Sequence, residues 1–257
     1  RHGVDRLDYI LLTHIHIDHA GGAGALLELF PTAIVVCHPV GIRHLTAPGE
    51  LWQGSVQVLG KKMTDAYGEI VPIPPGQILA AEDAGEISNS VLRSYFTPGH
   101  AAHHCCYRLD SLLFGGEVAG VHAPVPNGIY MRPATPPRFI LEVALDSIDR
   151  MIALQPKYLV VAHYGLVSPA LHYLQIGRDQ FVLWVKGVAE TVEVAVEQRQ
   201  QALLDWLLEH DPCFRNRDQL ETDIRAREEQ FFGNTVRGMS AYVQGLTAGQ
   251  REHLLAL

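Results

Sequence analysis

The segment Thr13-His14-Ile15-His16-Ile17-Asp18-His19 sets three imidazoles and one carboxylate within six residues, directly after the apolar run Tyr9-Ile10-Leu11-Leu12. On an extended backbone successive side chains point to opposite faces, so His14 and His16 fall on one side and can share one ion. Asp18 and His19 lie where the chain must already turn, because Gly21-Gly22 follows. They can therefore address a second ion beside the first. Imidazole with carboxylate suits zinc, with iron and manganese as alternatives.

Elements that could hold such a site alternate along the chain. Leu7 to Leu12 reads as a buried strand, Ala23 to Phe30 as a short helix stopped by Pro31, and Ala33 to Cys37 as a second strand. From Gly41 to Asp83 the pattern is mixed, with a loop marked by Pro72, Pro74, Pro75 and Gly76. Val91 to Phe96 is a strand ended by Thr97-Pro98-Gly99. Cys105 to Leu109 and Leu112 to Phe114 flank a turn at Asp110-Ser111. A proline-rich loop is expected from Pro124 to Pro137. An amphipathic helix follows, with Phe139, Ile140, Val143, Ala144, Ile148, Met151 and Ile152 on its apolar face. Tyr158 to Ala162 is the last clear strand, and beyond Ser168 the pattern is helical throughout, with Val196 among its apolar positions. Residues 1–167 are expected to form a catalytic domain and 168–257 a helical C-terminal extension.

On this map His100, Glu117 and His163 each sit just past a strand end, as His14 and His16 do. Loops at one edge of a sheet are where α/β proteins assemble sites, because the sheet holds the loop roots rigid. An isolated His or Glu is ordinarily a hydrogen-bonded or solvated side chain, and recurrence at three strand ends reverses that expectation. His2, His44, His122, His172, His210 and His253 keep it. His38 ends a strand facing the same edge and is a candidate for lining the pocket.

Composition narrows the function classes. A chain of 257 residues with 47% hydrophobic and 19% charged residues describes a globular protein able to bury one large core. Net charge of −8 excludes a general nucleic-acid surface. No apolar run approaches the roughly 20 residues that span a bilayer. Cys37, Cys105, Cys106 and Cys213 show no CxxC spacing and are expected to be reduced structural thiols in a cytoplasmic protein. No signal peptide is visible. The chain opens at Arg1, so a preceding segment is expected to be absent from the sequence.

The THxHxDH segment, Thr97-Pro98-Gly99-His100, Phe114-Gly115-Gly116-Glu117 and Ala162-His163-Tyr164-Gly165 together resemble the metallo-β-lactamase-fold hydrolases, over about residues 4 to 167. The resemblance implies a four-layer αβ/βα sandwich with a dinuclear site at one edge. It implies that His14, His16 and His100 hold one ion and that Asp18, His19 and His163 hold the other. Glu117 occupies the place where the family usually bridges both ions with an aspartate; alkylsulfatases within the superfamily use glutamate. His103 and His104 would support the ligands. Family members usually carry about two strands before the first motif, and these are missing here.

The resemblance also implies the chemistry. Zinc lowers the pKa of bound water from 15.7 toward about 7, supplying hydroxide at neutral pH. Asp18 would ligate and also accept a hydrogen bond from this nucleophile. The TPGH segment is shared with the glyoxalase II, lactonase and thioesterase-like branches, so hydrolysis of an ester, thioester or lactone in a small-molecule substrate is expected. Tyr130 and Arg132 lie in the loop after Glu117 and are candidates for binding substrate, through an oxyanion and a carboxylate or phosphate. The competing reading of that loop is a proline-stiffened support with Arg132 on a carbonyl. The helical tail is expected to pack as core and offers a surface for a homodimer contact. Two other classes share the fold: an iron oxidoreductase, of the persulfide dioxygenase or flavodiiron type, and a non-catalytic metal-binding protein. Flavodiiron proteins commonly carry Glu where this chain has His16, and retention of all six His and Asp positions argues against a non-catalytic protein.

Overall fold

A computed structural model describes residues 3–88, 90–163 and 165–256. His2, Tyr164 and the side chain of Val196 lie outside the described residues. The chain divides into two compact units. One comprises residues 1–97 with 103–110, and the other 98–102 with 111–257.

The first unit grows from apolar, β-branched runs. Strands β1 (Tyr9–Leu11), β2 (Ile34–Cys37) and β3 (Ile78–Ala80) form a parallel sheet in the order β1-β2-β3, with Ile10 opposite Val35 and Val36 opposite Leu79. Parallel neighbours need crossovers, and helices supply them. Helices α1 (Ile17–Ala20) and α2 (Ala23–Leu29) join β1 to β2. Helices α3 (Ile42–Thr46), α4 (Gly49–Leu59) and α5 (Lys61–Tyr67) lie between β2 and β3. The stretch that reads as mixed in sequence is therefore three short helices; Pro48 and Gly60 (φ 81°) divide them and interrupt the helical period. Leu12, Ile15, Ile17, Leu27, Val35 and Leu45 centre the core. An antiparallel pair completes the unit, β4 (Leu92–Phe96) and β5 (Cys105–Leu109), with Ser94 opposite Tyr107.

In the second unit β6 (Leu112–Gly116) runs parallel to β9 (Tyr158–Val161), and β10 (Gly165–Val167) pairs antiparallel with β9. Between β6 and β9 come β7 (Val121–Val125), β8 (Gly128–Arg132) and α6 (Leu141–Ala153). The proline-rich loop expected from residue 124 is thus in part a hairpin, β7 paired with β8 about a turn at Pro126-Asn127. Pro124 is tolerated because this sheet has only two strands and each leaves one edge unpaired.

Helices α7 (Ala170–Glu190), α8 (Val196–His210), α9 (Thr222–Gly245) and α10 (Ala248–Ala256) follow. These helices pack on residues 111–167 within the second unit. Gln180 donates to Met131 O at 2.8 Å, and Phe139 stacks on Phe181 at 5.8 Å. Among the described residues no helix is long and apolar enough to cross a membrane.

Buried polar groups in these units set clear expectations. All four cysteines are free thiols. Burial pushes the Cys37 thiol up to about 12 and Cys213 up to about 11, which suppresses the thiolate a metal or an electrophile would need. His122 on β7 departs from the expected hydrogen-bonded state. It is 4% exposed, and among the described residues neither ring nitrogen has a hydrogen-bond partner. Its ring meets Tyr173 edge-on at 5.2 Å beside a cavity of about 10 Å³, lined also by Met131, Leu159 and Val161. Burial lowers its pKa from the ordinary histidine value. A depressed folded-state pKa means that the unfolded chain takes up the proton first. The stability His122 contributes is therefore fully present above about pH 6.5 and is lost as pH falls toward the folded value. Urea unfolding of metal-free protein across pH 8 to 5 should show a steeper acid loss for the wild type than for His122→Phe; parallel profiles would refute this.

Asp211 is 1% exposed and accepts from Trp184 Nε1 (2.7 Å), Gln180 Nε2 (2.8 Å), Cys213 N (2.9 Å) and Phe214 N (2.9 Å). It joins α7 to the turn after α8. Asp211→Ala strands these donors and should destabilise by about 3 kcal/mol, with Asp211→Asn costing less. Calorimetry of the two variants checks the ranking.

Candidate metal centre

His14 and His16 follow β1, and His16, on extended backbone (φ −100°, ψ 157°), caps α1. Its carbonyl accepts from His19 N (3.1 Å) and Ala20 N (2.8 Å), so Asp18 and His19 stand on the first helical turn. The change from strand to helix inside one motif brings all four side chains together. The His14 ring lies 4.6 Å from His16 and 4.2 Å from His19, and Asp18 Oδ2 is 3.3 Å from His19 Nε2. His14 is fully buried, whereas the Asp18 side chain is 29% exposed.

Contacts distant in sequence fix this segment. Thr13 O accepts from Cys105 N at 2.6 Å. The Tyr107 hydroxyl lies 2.9 Å from Leu12 O and 3.2 Å from Val36 O, so β5 grips the end of β1 just before the first ligand. Thr13 Oγ1 is 3.1 Å from His14 Nδ1, which leaves Nε2 as the nitrogen for an ion. His103 Nδ1 accepts from Ile15 N at 3.2 Å. His104 is buried, bound through Nδ1 to Thr97 Oγ1 at 2.8 Å, and stacks on His14 at 5.3 Å. His103 thus holds the motif's backbone and His104 packs on one of its rings. His38 instead closes a turn through Val40 N (3.2 Å) and packs on Phe96. Desolvation lowers its pKa, partly offset by Asp83.

The second unit presents three more candidate ligands. Parallel pairing of β6 with β9 sets Gly116 opposite Val161, so Glu117 and His163 emerge at one edge from adjacent strand ends. Both ends turn on positive φ, 54° at Gly116 and 71° at His163. His100 reaches Glu117 from the loop on α6. There Ser147 Oγ donates to Pro98 O at 2.5 Å, and Gly99 (φ 149°) passes so near that a Cβ would fall 3.1 Å from Ala144 Cα. Glu117 lies between two imidazoles, Oε2 at 3.0 Å from His100 Nε2 and Oε1 at 3.8 Å from His163 Nε2. His100 Nδ1 is 3.2 Å from Ala134 O, which turns its Nε2 toward Glu117.

Among the described residues, the side chains that belong to groups able to hold a metal ion are His14, His16, Asp18 and His19 of the first unit and His100, Glu117 and His163 of the second. Each unit thus supplies imidazoles with a carboxylate, a donor set that suits a divalent ion of the zinc, iron or manganese type. The two candidates for substrate binding are placed differently. Tyr130 and Arg132 are 1% and 3% exposed, and both donate to Glu228 on α9. Arg132 Nη1 also donates to Pro133 O at 3.0 Å, the arrangement of a structural loop. Burial opposes charge on Arg132, but the Glu228 carboxylate more than offsets it and its pKa rises. Tyr107, the Ala134 carbonyl and Glu228 carry no local signal in the sequence; only the pairing of distant elements reveals them.

Comparisons with known proteins agree with this geometry. Residues 2–163 match the model of the metallo-beta-lactamase superfamily. The metallo-beta-lactamase fold-containing protein ST1585 of Sulfurisphaera tokodaii is 34% identical over 173 residues, 65% of this chain and 64% of that protein. The hydroxyacylglutathione hydrolase of Francisella philomiragia is 31% identical over 126 residues, 46% of this chain and 38% of that one. The chain thus spans less than two thirds of the length of either relative. The crystal structure of ST1585 from Sulfolobus tokodaii superposes with a TM-score of 0.66 at 26% identity, covering 93% of this chain and 82% of that one. With the family model matching well over half its length, the chain belongs to the metallo-beta-lactamase superfamily.

Proposed function

We propose that this protein is a metal-dependent hydrolase that cleaves an ester, thioester or lactone in a small-molecule substrate. In this reading His14, His16 and His100 hold one ion, Asp18, His19 and His163 hold a second, and Glu117 serves both. The observation that carries it is Glu117, a buried carboxylate with one oxygen toward each of two imidazoles. A carboxylate so far from water needs cationic compensation, and ions on either side would supply it. Family membership and the name of the hydroxyacylglutathione hydrolase relative support an acyl substrate.

Divalent ions bound there, most simply zinc, would supply a nucleophile at neutral pH and polarise the scissile carbonyl. The residues divide the remaining work by exposure. Glu117 and His14 are buried and hold position. Asp18 is the more exposed carboxylate, so it can meet water and substrate, accept the proton of the attacking water and hand it to the leaving group. Net charge of −8 favours a small acyl compound over a polyanion.

Protein produced in metal-balanced medium should contain close to two divalent ions per chain. It should cleave p-nitrophenyl esters, acyl-thioesters or lactones in a chelator-sensitive manner, ahead of phosphodiesters and β-lactams. A single iron per chain, or cleavage confined to phosphodiesters, would overturn the proposal.

Glu117→Gln removes the charge while keeping the shape. Turnover should fall by about 100-fold or more, at or above the top of the 10- to 100-fold range seen for outer partners of metal ligands. Glu117→Asp should retain measurable turnover. Kinetics and ion content measured on both variants decide the matter: unchanged turnover in the Gln protein would remove Glu117 from the site.

A further inference from the structure

Helix α9 begins 105 residues after Glu117, outside every metal motif, yet one of its faces runs along the segment that orients a ligand. Glu228, Phe231, Thr235 and Gly238 recur at helical spacing on that face. Glu228 takes both Arg132 Nε and Nη2, the latter at 3.1 Å, and the Tyr130 hydroxyl at 2.9 Å. Phe231 lies beneath the guanidinium, 5.7 Å from its carbon to the ring centre. Thr235 donates to Pro133 O at 3.3 Å and accepts from Thr135 Oγ1 at 3.2 Å. Gly238 abuts Pro136 O so closely that a Cβ would fall 2.3 Å from it. Residues 132, 133, 135 and 136 are thereby pinned in order along the helix. The residue left in the middle, Ala134, turns its carbonyl to His100 Nδ1 at 3.2 Å.

We infer that α9, through Glu228 and Arg132, positions His100 for metal: Glu228 is a positioning residue for the centre. The inference rests on the metal-hydrolase reading and extends it to the C-terminal helices. The path is Glu228 to Arg132, along the backbone to Ala134 O, and then to His100, whose Nε2 faces Glu117. A carbonyl that fixes tautomer and ring angle of a ligating histidine governs metal affinity, and loss of such a partner typically weakens binding about 10- to 100-fold. The buried charge pair gives the path stiffness, since Arg132 is 3% exposed and leaving Glu228 would strand its charge.

The test uses the full chain. Zinc and cobalt dissociation constants are measured by competition with a chromophoric chelator, alongside thermal midpoints of metal-free protein and the nitrogen-detected NMR signal of His100. Glu228→Gln should weaken binding at one of the measured sites about 10-fold or more and move the His100 Nδ1 signal. Val243→Ala, a core truncation farther along the same helix, should lower the midpoint while leaving affinity and signal unchanged. If Glu228→Gln does not fold, Thr235→Val, which deletes one hydroxyl on the path, should weaken affinity about threefold. Unchanged affinity and an unmoved His100 signal in the folded Glu228 or Thr235 variant overturn the inference, as does equal weakening by Val243→Ala. Wild-type protein that binds no ion defeats the metal-hydrolase reading itself, an outcome distinct from wild-type and Glu228→Gln binding equally well.

Discussion

Glu117 is the constraint on which the rest of its unit depends. A carboxylate at 5% exposure is stable only where its environment returns what water would have given. Two parallel strand ends deliver it and His163 together, and the α6-seated loop delivers His100. None of these side chains can be satisfied by its own element. The positive φ at Gly116 and His163 follows from this demand, because both strands must turn sharply for their next residues to face one point.

The same logic explains why so much of the molecule behind the centre is polar yet buried. Arg132 at 3% exposure needs Glu228, and without that partner its charge would be drawn toward Glu117, whose field it already feels. Glu228 thus holds a strand and also keeps a buried cation committed away from the Glu117 carboxylate. Asp211 does comparable work farther out, gathering a tryptophan, a glutamine and two backbone amides at the junction of α7 and α8. These groups are satisfied by partners remote in sequence, several of them on the helices after residue 168.

What could be read in the sequence was local. The THxHxDH segment declares itself because its ligands lie within one strand-to-helix turn, and β4, β5, β6 and β9 declare themselves through alternation and turn residues. Expected strand ends at Phe96, Phe114 and Ala162 then marked His100, Glu117 and His163. The failures were non-local or compositional. Pro124 and Pro126 disguised the β7–β8 hairpin, because proline argues against a strand unless one knows that the strand is an edge. Arg132 looked like a ligand for substrate since its partner stands 96 residues away on a helix with no motif.

His104 shows the same limit from the other side. Its sequence neighbours suggested support for the ligands, and it does stack on His14 at 5.3 Å, but the contact that gives it a fixed orientation is Thr97 Oγ1. That threonine is part of the TPGH segment, and its hydroxyl also reaches Cys106 Sγ at 3.3 Å. One residue of a ligand-bearing motif therefore serves the opposite motif's support while its neighbours carry His100. Thr97 is 1% exposed, so no solvent could replace this hydroxyl if it were removed. Its place in the motif is explained by hydrogen bonding to a ring that touches a ligand, which is a stronger reason than turn propensity at Thr97-Pro98-Gly99. A short motif of this kind carries two jobs at once, and the second becomes visible only when β4 and β5 are paired.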